Sequence, residues 1–478
     1  MEKYIDIHCH PGMKPYSHSF GRGKVNSKRK TSKNSIWYYD PPTLTDKLLN
    51  YIGTLTKFSQ SNFTAMAKGN VGVICASLYP IEKSFLVPSF GTGPVADILA
   101  NIIMEIGRER IDYIQSRKDY FPDMEGEYDF YKQLHGVKIR VNRTDYFQYR
   151  FVNSFSEILE NNMRKENIIS VINTIEGGHV FNTGLGKDNA PESQVLKNVE
   201  KVKNWDHPPF FITFAHHFYN DLCGHARSLA PILTRMMSQE EGINTGFTPL
   251  GLKVLDKLLD TKSGKRVMID IKHLSTLARK EYFELMDTKY SGENLPVIVS
   301  HGAVNGLHSA DDPVVKIPGS HGMFNSADIN FYDVEFVEIA KRGGVIGLQM
   351  DERRLADEAL LKQIKGKIAR RKILFHRSKL FWNQIRHIAE VLDSAGHFGW
   401  GIQSIGTDFD GVVDPLNGYW TSEELPYLDD YLLKHAYNYM QGDGKNLVES
   451  RNRKIDPEEI VSRVMTDNGF EFFRKFFV

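Results

Sequence analysis

Eight short apolar runs, each ending in a polar, glycine or histidine residue, restrict how this chain can fold more than any other feature. They are Tyr4–His8, Val71–Leu78, Ile168–Glu176, Phe210–His216, Val267–His273, Val297–His301, Gly344–Met350 and Ile402–Asp408. Several are almost continuously Val, Ile and Phe, as a strand must be when helices cover both its faces. The segments between them have a helical period. Thr248–Asp260 places Leu250, Leu252, Leu255, Leu258 and Leu259 on one side, and Val334–Lys341 runs into a Gly343–Gly344 stop. Strand and helix alternating to a count of eight predict an α/β chain closed into a (β/α)8, or TIM, barrel, in preference to an open doubly wound sheet.

Long insertions interrupt the alternation, near 11–65, 80–165, 217–247, 302–330 and 351–380. All except part of the second begin just after a strand's C-terminal end, the face on which barrel loops build sites and lids. With no internal repeat, heptad run or low-complexity linker, the expectation is one decorated domain over 1–478. The aromatic-rich stretches Trp37–Tyr39 and Tyr113–Tyr149 are expected to pack on the barrel's exterior.

Charge and cysteine usage remove several classes. Lys plus Arg total 60 and Asp plus Glu 59, a net charge of +1, so no polyanion such as nucleic acid is expected as partner. The basic cluster from Lys24 to Lys33 is broken by Ser, Thr and Asn and reads as a solvated loop. Three cysteines, Cys9, Cys75 and Cys223, make no disulfide framework and no Cys-x-x-Cys pair, which fits a reducing compartment. The start lacks the pattern of a signal peptide, and no run approaches the roughly 18 apolar residues that cross a bilayer. The expectation is a cytoplasmic protein, a removed leader being the alternative; composition leaves homo-oligomerisation open.

The chemistry lies in the residues that end the strands. Strand one ends His8-Cys9-His10, and alternation sends residues i and i+2 to one face, so both imidazoles converge. Glu176 ends strand three, His216 strand four, His273 strand five, His301 strand six and Asp408 strand eight. Barrel strand ends share one mouth, so these distant residues become neighbours. Together they supply the N and O donors that Zn²⁺ prefers, and the two oxygens of Glu176 can bridge a pair of ions. A carboxylate finishing an apolar strand is costly to bury without a cation.

Singly, each histidine has a bland reading as a hydrogen-bonded strand end; the six together do not. His179, His217 and His225 are assigned supporting or surface roles, and Lys272 is expected to face the helical layer or the loops. The pairs Gly177–Gly178 and Gly343–Gly344 lack nucleotide-loop spacing and read as tight turns. No Gly-x-Ser-x-Gly elbow occurs and no thiol stands beside a base at a strand end, which disfavours covalent catalysis.

These segments resemble the membrane (renal) dipeptidases, zinc-dependent members of the amidohydrolase superfamily. The resemblance rests on Ile5-Asp6-Ile7-His8-Cys9-His10, Ile175-Glu176-Gly177-Gly178-His179, Phe214-Ala215-His216 and Ile269-Asp270-Ile271-Lys272-His273-Leu274-Ser275. It continues through Val299-Ser300-His301, Arg342-Gly343-Gly344-Val345-Ile346-Gly347 and Gly406-Thr407-Asp408-Phe409-Asp410-Gly411. It implies two divalent ions, one held by His8 and His10 and the other by His273 and His301, with Glu176 bridging. Asp408 would take a proton from the bridging water and pass it to the leaving amine, and His216 would polarise the scissile carbonyl or stabilise its oxyanion.

Two departures bear on what carries over. The family commonly has Asp where this chain has His10, which removes one negative charge from the site. Its dipeptidases also grip the peptide carboxylate with an Arg that precedes an Asn; here the Asn is Asn330, and Ile329 stands in the arginine's place after an insertion. Arg353 and Arg354 beyond strand seven, or Arg227 after strand four, are the replacements within reach. The expectation is therefore a binuclear, zinc-type hydrolase of amide bonds acting on dipeptides or related small molecules. The alternatives are hydrolysis of another amide, a cyclic amide or a lactone, and a barrel that binds metal or ligand without turnover.

Overall fold

The computed structural model describes residues 3–53, 56, 58–87, 93, 101, 104–229, 237–366 and 369–478. Parts of the insertions near 11–65, 80–165, 217–247 and 351–380 lie outside the described residues. Ten strands form one sheet: β1 (Tyr4–Cys9), β2 (Val71–Leu78), β3 (Ile139–Arg140), β4 (Tyr146–Phe151), β5 (Asn167–Glu176), β6 (Phe211–Thr213), β7 (Met268–Asp270), β8 (Ile298–Gly302), β9 (Val345–Leu348) and β10 (Gln403–Ile405). Eight of them, β1, β2 and β5 to β10, pair in parallel around a closed ring. The ring closes where β1 meets β10, Asp6 opposite Ile405. Each of the eight apolar runs contains one of these barrel strands.

β3 and β4 lie outside the ring and inside the stretch expected to be an insertion. β4 runs parallel to β5 over Asn167–Val171, whereas β6 pairs with Ile175 and Glu176. Since β2 holds the other edge of β5 over Ser170–Ile175, β4 and β6 share one edge, low and high. β4 thus prolongs the ring at the end away from the mouth. Trp37 and Phe63 pack on Tyr149 of this strand, the Phe63 and Tyr149 ring centres 4.4 Å apart, so Trp37 and Tyr149 pack outside the barrel as expected.

The helices between strands start where the sequence supplies caps. Thr248 accepts from Gly251 N–H at 2.9 Å and Pro249 occupies the first turn of the helix Pro249–Leu259. Ser275 does the same for Thr276–Asp287 through Ala278 N–H. Val254, Leu255, Leu258 and Leu259 of the former bury against the ring, but Leu252 turns outward, 36% exposed. The spacing 1, 3, 1 of the buried set, not every leucine, marks the inner face. At the end opposite the mouth, Phe472, Phe473 and Phe477 close on Phe210 with ring centres 4.9–6.1 Å apart.

Inside the ring the walls come very close. A Cβ on Gly347 or Gly406 would stand 2.0 Å from the Ser300 carbonyl oxygen. These two glycines let β9 and β10 approach β8 directly beneath the mouth. Among the described residues, no helix is long and apolar enough to cross a membrane.

Candidate metal centre

The strand ends deliver their polar side chains to one point. β1 carries His8, and His10 follows its last residue; between them Cys9 turns into the wall, its Sγ 3.8 Å from the Cys75 carbonyl. Glu176 is the last residue of β5 and His301 lies within β8. His216, His273 and Asp408 each stand three residues beyond a strand end, after Thr213, Asp270 and Ile405. Two of these three have left-handed backbone, His273 at φ 67° and Asp408 at φ 59°. For residues with a Cβ this conformation is strained, at a cost of about 1–3 kcal/mol, and such strain concentrates at functional sites.

Two buried aspartates one layer down hold the ends in register. Asp6 accepts from His8 N–H (3.2 Å), Thr407 N–H (3.0 Å) and the Thr407 hydroxyl (2.7 Å), fastening β1 to the segment after β10. Asp270 accepts from Lys272 N–H and Ser300 N–H (both 3.0 Å) and from the Ser300 and Thr213 hydroxyls (both 2.5 Å), fastening β6, β7 and β8. Each is the carboxylate of an Ile-Asp-Ile triplet, a polar residue set in an apolar strand. That was the readable signal for them.

Glu176 sits at the centre. Its Oε1 is 3.5 Å from His8 Nε2, 3.5 Å from His301 Nε2 and 3.8 Å from His273 Nε2; its Oε2 is 3.0 Å from His10 Nε2 and 3.6 Å from His216 Nε2. Asp408 Oδ1 lies 3.7 Å from His8 Nε2 and 3.6 Å from His10 Nε2. Three overlapping sets each bring three ligand atoms within 4.8 Å of one another: His8, Glu176, His301; His8, His10, Asp408; and Glu176, His216, His273. All seven positions named from the sequence therefore meet. The distal nitrogens of two rings are anchored, His10 Nδ1 on the Ser77 carbonyl (3.2 Å) and His301 Nδ1 on the Ser300 hydroxyl (2.9 Å).

Electrostatics favour a cation here. Burial lowers the proton affinity of His8 to a pKa of about 3 and drives His273 and His301 well down, so these rings keep free lone pairs. His273 Nε2 and His301 Nε2 approach each other at 3.2 Å, within reach of one shared ion. Burial alone would also lower His10, but Glu176 and Asp408 hold it up at about 10. Burial raises Asp408 to about 6 against the His10 hydrogen bond, while His216, His8 and His10 outweigh burial and keep Glu176 well below the carboxylate range. Glu176 Oε1, fully enclosed, has no hydrogen-bond donor among the described residues. An orphaned, enclosed carboxylate oxygen is costly unless positive charge enters, and the donor set suits a divalent transition metal.

One functional neighbour escaped the sequence reading. Glu82, four residues beyond β2, accepts from His216 Nδ1 at 2.9 Å with each oxygen, from His217 N–H at 3.2 Å and from the Tyr79 hydroxyl. Burial opposes its charge, but His216 and His179 hold Glu82 far below the ordinary range, and Glu82 in return raises His216 against the effect of burial. No local motif announces a glutamate in a loop. The supporting histidines are interior: His179 bonds the Pro80 carbonyl (2.8 Å), His225 the Glu241 carbonyl (2.9 Å), and the His217 ring lies 5.0 Å from that of His273.

Lys272 stands next to His273 in sequence. Its side chain is buried, and its charge disfavours protonation of His8, His273 and His301 and favours the ionised form of Asp408. Of the arginines named as replacements, Arg227 pairs with Glu240 and Arg353 grips Asp351 with Nε and Nη2 (2.9 and 2.6 Å). Ile329 is buried, and Asn330 Nδ2 donates to the Arg354 carbonyl at 2.8 Å.

Known folds match this arrangement where sequences do not: no protein-family description and no curated protein sequence matches the chain. Among solved structures it is similar to dipeptidase AC, a metallo peptidase of family M19, with TM-score 0.56 and 12% identity over 100% of this chain and 99% of that one. The probable dipeptidase PvdM from Pseudomonas aeruginosa gives TM-score 0.51 at 13% identity, covering 99% of this chain and 95% of its own. A metallo peptidase from Rhodobacter sphaeroides, liganded with a phosphinate mimic of the dipeptide L-Ala-D-Ala, gives 0.52 at 12% identity over 99% of each chain. The shared property is the fold, a (β/α)8 barrel over the whole length.

Proposed function

We propose that the chain, read as one decorated barrel domain, is a binuclear metal-dependent hydrolase of amide bonds, dipeptidase-like and akin to the membrane dipeptidases. One observation carries this: the buried side chains of His8, His10, Glu176, His273 and His301 converge at the barrel mouth with Asp408 beside them. His8, His10 and Glu176 would hold one divalent ion, and Glu176, His273 and His301 the other, zinc being the ion that the donors suit best. Bound ions would make water acidic enough to ionise near neutral pH and draw charge from the scissile carbonyl. Asp408 would accept the proton and return it to the leaving amine. His216, oriented by Glu82, would donate from Nε2 to the developing oxyanion. Dipeptides are the leading substrates, a reading supported by the dipeptide mimic that the Rhodobacter sphaeroides neighbour binds.

Elemental analysis of the native protein and of Glu176→Ala and His273→Ala tests the centre. About two equivalents of transition metal, falling in both variants, are expected. No metal after reconstitution with zinc, manganese or cobalt would leave a non-catalytic ligand-binding barrel. A panel of dipeptides, cyclic amides and lactones tests the substrate. Turnover of a ring substrate alone would favour the second reading, for which the apolar Ile329 is the motive.

A further inference from the structure

His217 stands at the mouth without a part in the chemistry assigned above. Its ring packs edge-on against His216 and His273, with ring centres 4.0 and 5.0 Å apart, and against Phe85 at 5.2 Å. Its Nδ1 is tied to the buried Ser228 hydroxyl at 2.6 Å, and the buried Gln239 closes the loop behind them. Gln239 Oε1 accepts from Ser228 N–H (3.2 Å) and Leu229 N–H (2.9 Å). Its Nε2 donates to the His217 carbonyl (2.5 Å) and to Ser228 Oγ (2.8 Å).

These bonds decide which ring nitrogen carries the proton. Backbone N–H groups only donate and carbonyls only accept, so the Gln239 amide has one permitted orientation. Ser228 Oγ therefore receives a hydrogen bond from Gln239, and its own proton has one acceptor left among the described residues, His217 Nδ1. A separation of 2.6 Å fits an O–H donor and is short for an N–H donor. The neutral ring is thus fixed with its hydrogen on Nε2. That nitrogen has no partner among the described residues, and on this half-buried ring it keeps contact with solvent, whereas His8 Nδ1 and His273 Nδ1 are sealed off.

The ligand sets say which part of a substrate this donor meets. Asp408 stands with His8 and His10, at 3.7 and 3.6 Å, whereas His216 and His273 stand together on Glu176, and His217 packs on these two. The amine departs toward Asp408, so the acyl half extends toward the other set and His217; this step rests on the hydrolase reading above. A fixed N–H donor there suits a carbonyl oxygen and opposes an α-ammonium, which has donors only.

We propose that His217 Nε2–H is a specificity contact for the acyl half, selecting N-acylated dipeptides and similar amides over dipeptides with a free α-ammonium. Ser228 and Gln239 are positioning residues that hold the donor tautomer.

The test is binding, not turnover. The zinc-loaded full chain is titrated calorimetrically with the phosphinate mimic of L-Ala-D-Ala, once with its amine free and once N-acetylated. The acetylated form is expected to bind about fivefold tighter or more, the scale of one neutral hydrogen bond. His217→Phe, which keeps the ring packing, should abolish that preference at native metal content, and His217→Gln, which keeps an N–H donor, should retain part of it. Ser228→Ala should weaken it and shift the His217 ring nitrogens, read by nitrogen NMR, from a single Nε2–H form to a mixture; Ser228→Thr should restore both. Equal binding of the two mimics, tighter binding of the free amine, binding of neither, or a preference unchanged in His217→Phe would overturn the proposal. An acetyl preference that depends on His217 in a protein that cleaves no amide would sink the hydrolase reading alone.

Discussion

At the scale of single residues, His216 is defined by its partner more than by its position. With Nδ1 held by Glu82, its ring has one orientation, and the opposite nitrogen faces Glu176. Glu82→Gln is expected to keep both metals and lose about 10–100-fold in kcat, the usual cost of removing a supporting carboxylate. Retention of full kcat in that variant would remove His216 from the mechanism. Asp408→Asn should retain metal and lose at least about 100-fold in kcat, as loss of a proton carrier does. It should also raise the melting temperature of the metal-free protein, because Asn accepts left-handed backbone readily and no longer repels Glu176. The seven site positions were legible because each ends an apolar run. Glu82 was not, since its place depends on which loops meet over the mouth.

Among elements, the barrel strands are short, three residues in β6, β7 and β10, so side-chain staples do much of the work of holding register. Asp270→Ala would free four donors at once, and a loss of about 2–4 kcal/mol in urea unfolding is expected. The segment after β10, packed against the one after β9, makes the opposite case. Burial, with Asp351 and Glu352 adding to it, raises the Asp414 carboxyl to about 8. A folded pKa above the unfolded value of 3.8 means that the folded state binds the proton more tightly. Stability therefore falls as pH rises between about 4 and 8, and Asp414→Asn should flatten that slope in melts run across the range. Apolar runs revealed the eight barrel strands because burial on both faces leaves a local pattern. β4, Tyr146–Phe151, mixes aromatics with Gln148 and Arg150 and lies outside the ring, between β5 and the two-residue β3, so the same rule passed over it.

For the molecule as a whole, closure of the ring decides everything at the mouth. The aromatic plug below it, Phe210 with Phe472, Phe473 and Phe477, is the other end of that closure; Phe473→Ala should cost about 3–5 kcal/mol. Closure itself joins β1 to the segment after β10: Thr407 donates to Asp6 across 401 positions of sequence. During synthesis at about 5–20 residues per second, His8 and His10 thus precede Asp408 by roughly 20–80 s. Over that interval two imidazoles of the proposed centre are present without the partners that would discriminate among ions. On the proposed reading, metal choice would be a matter of timing as well as of affinity: an ion captured early by the first strand would be enclosed when the last strand docks, and the metal recovered from cells would report which ions were free while the chain was being made.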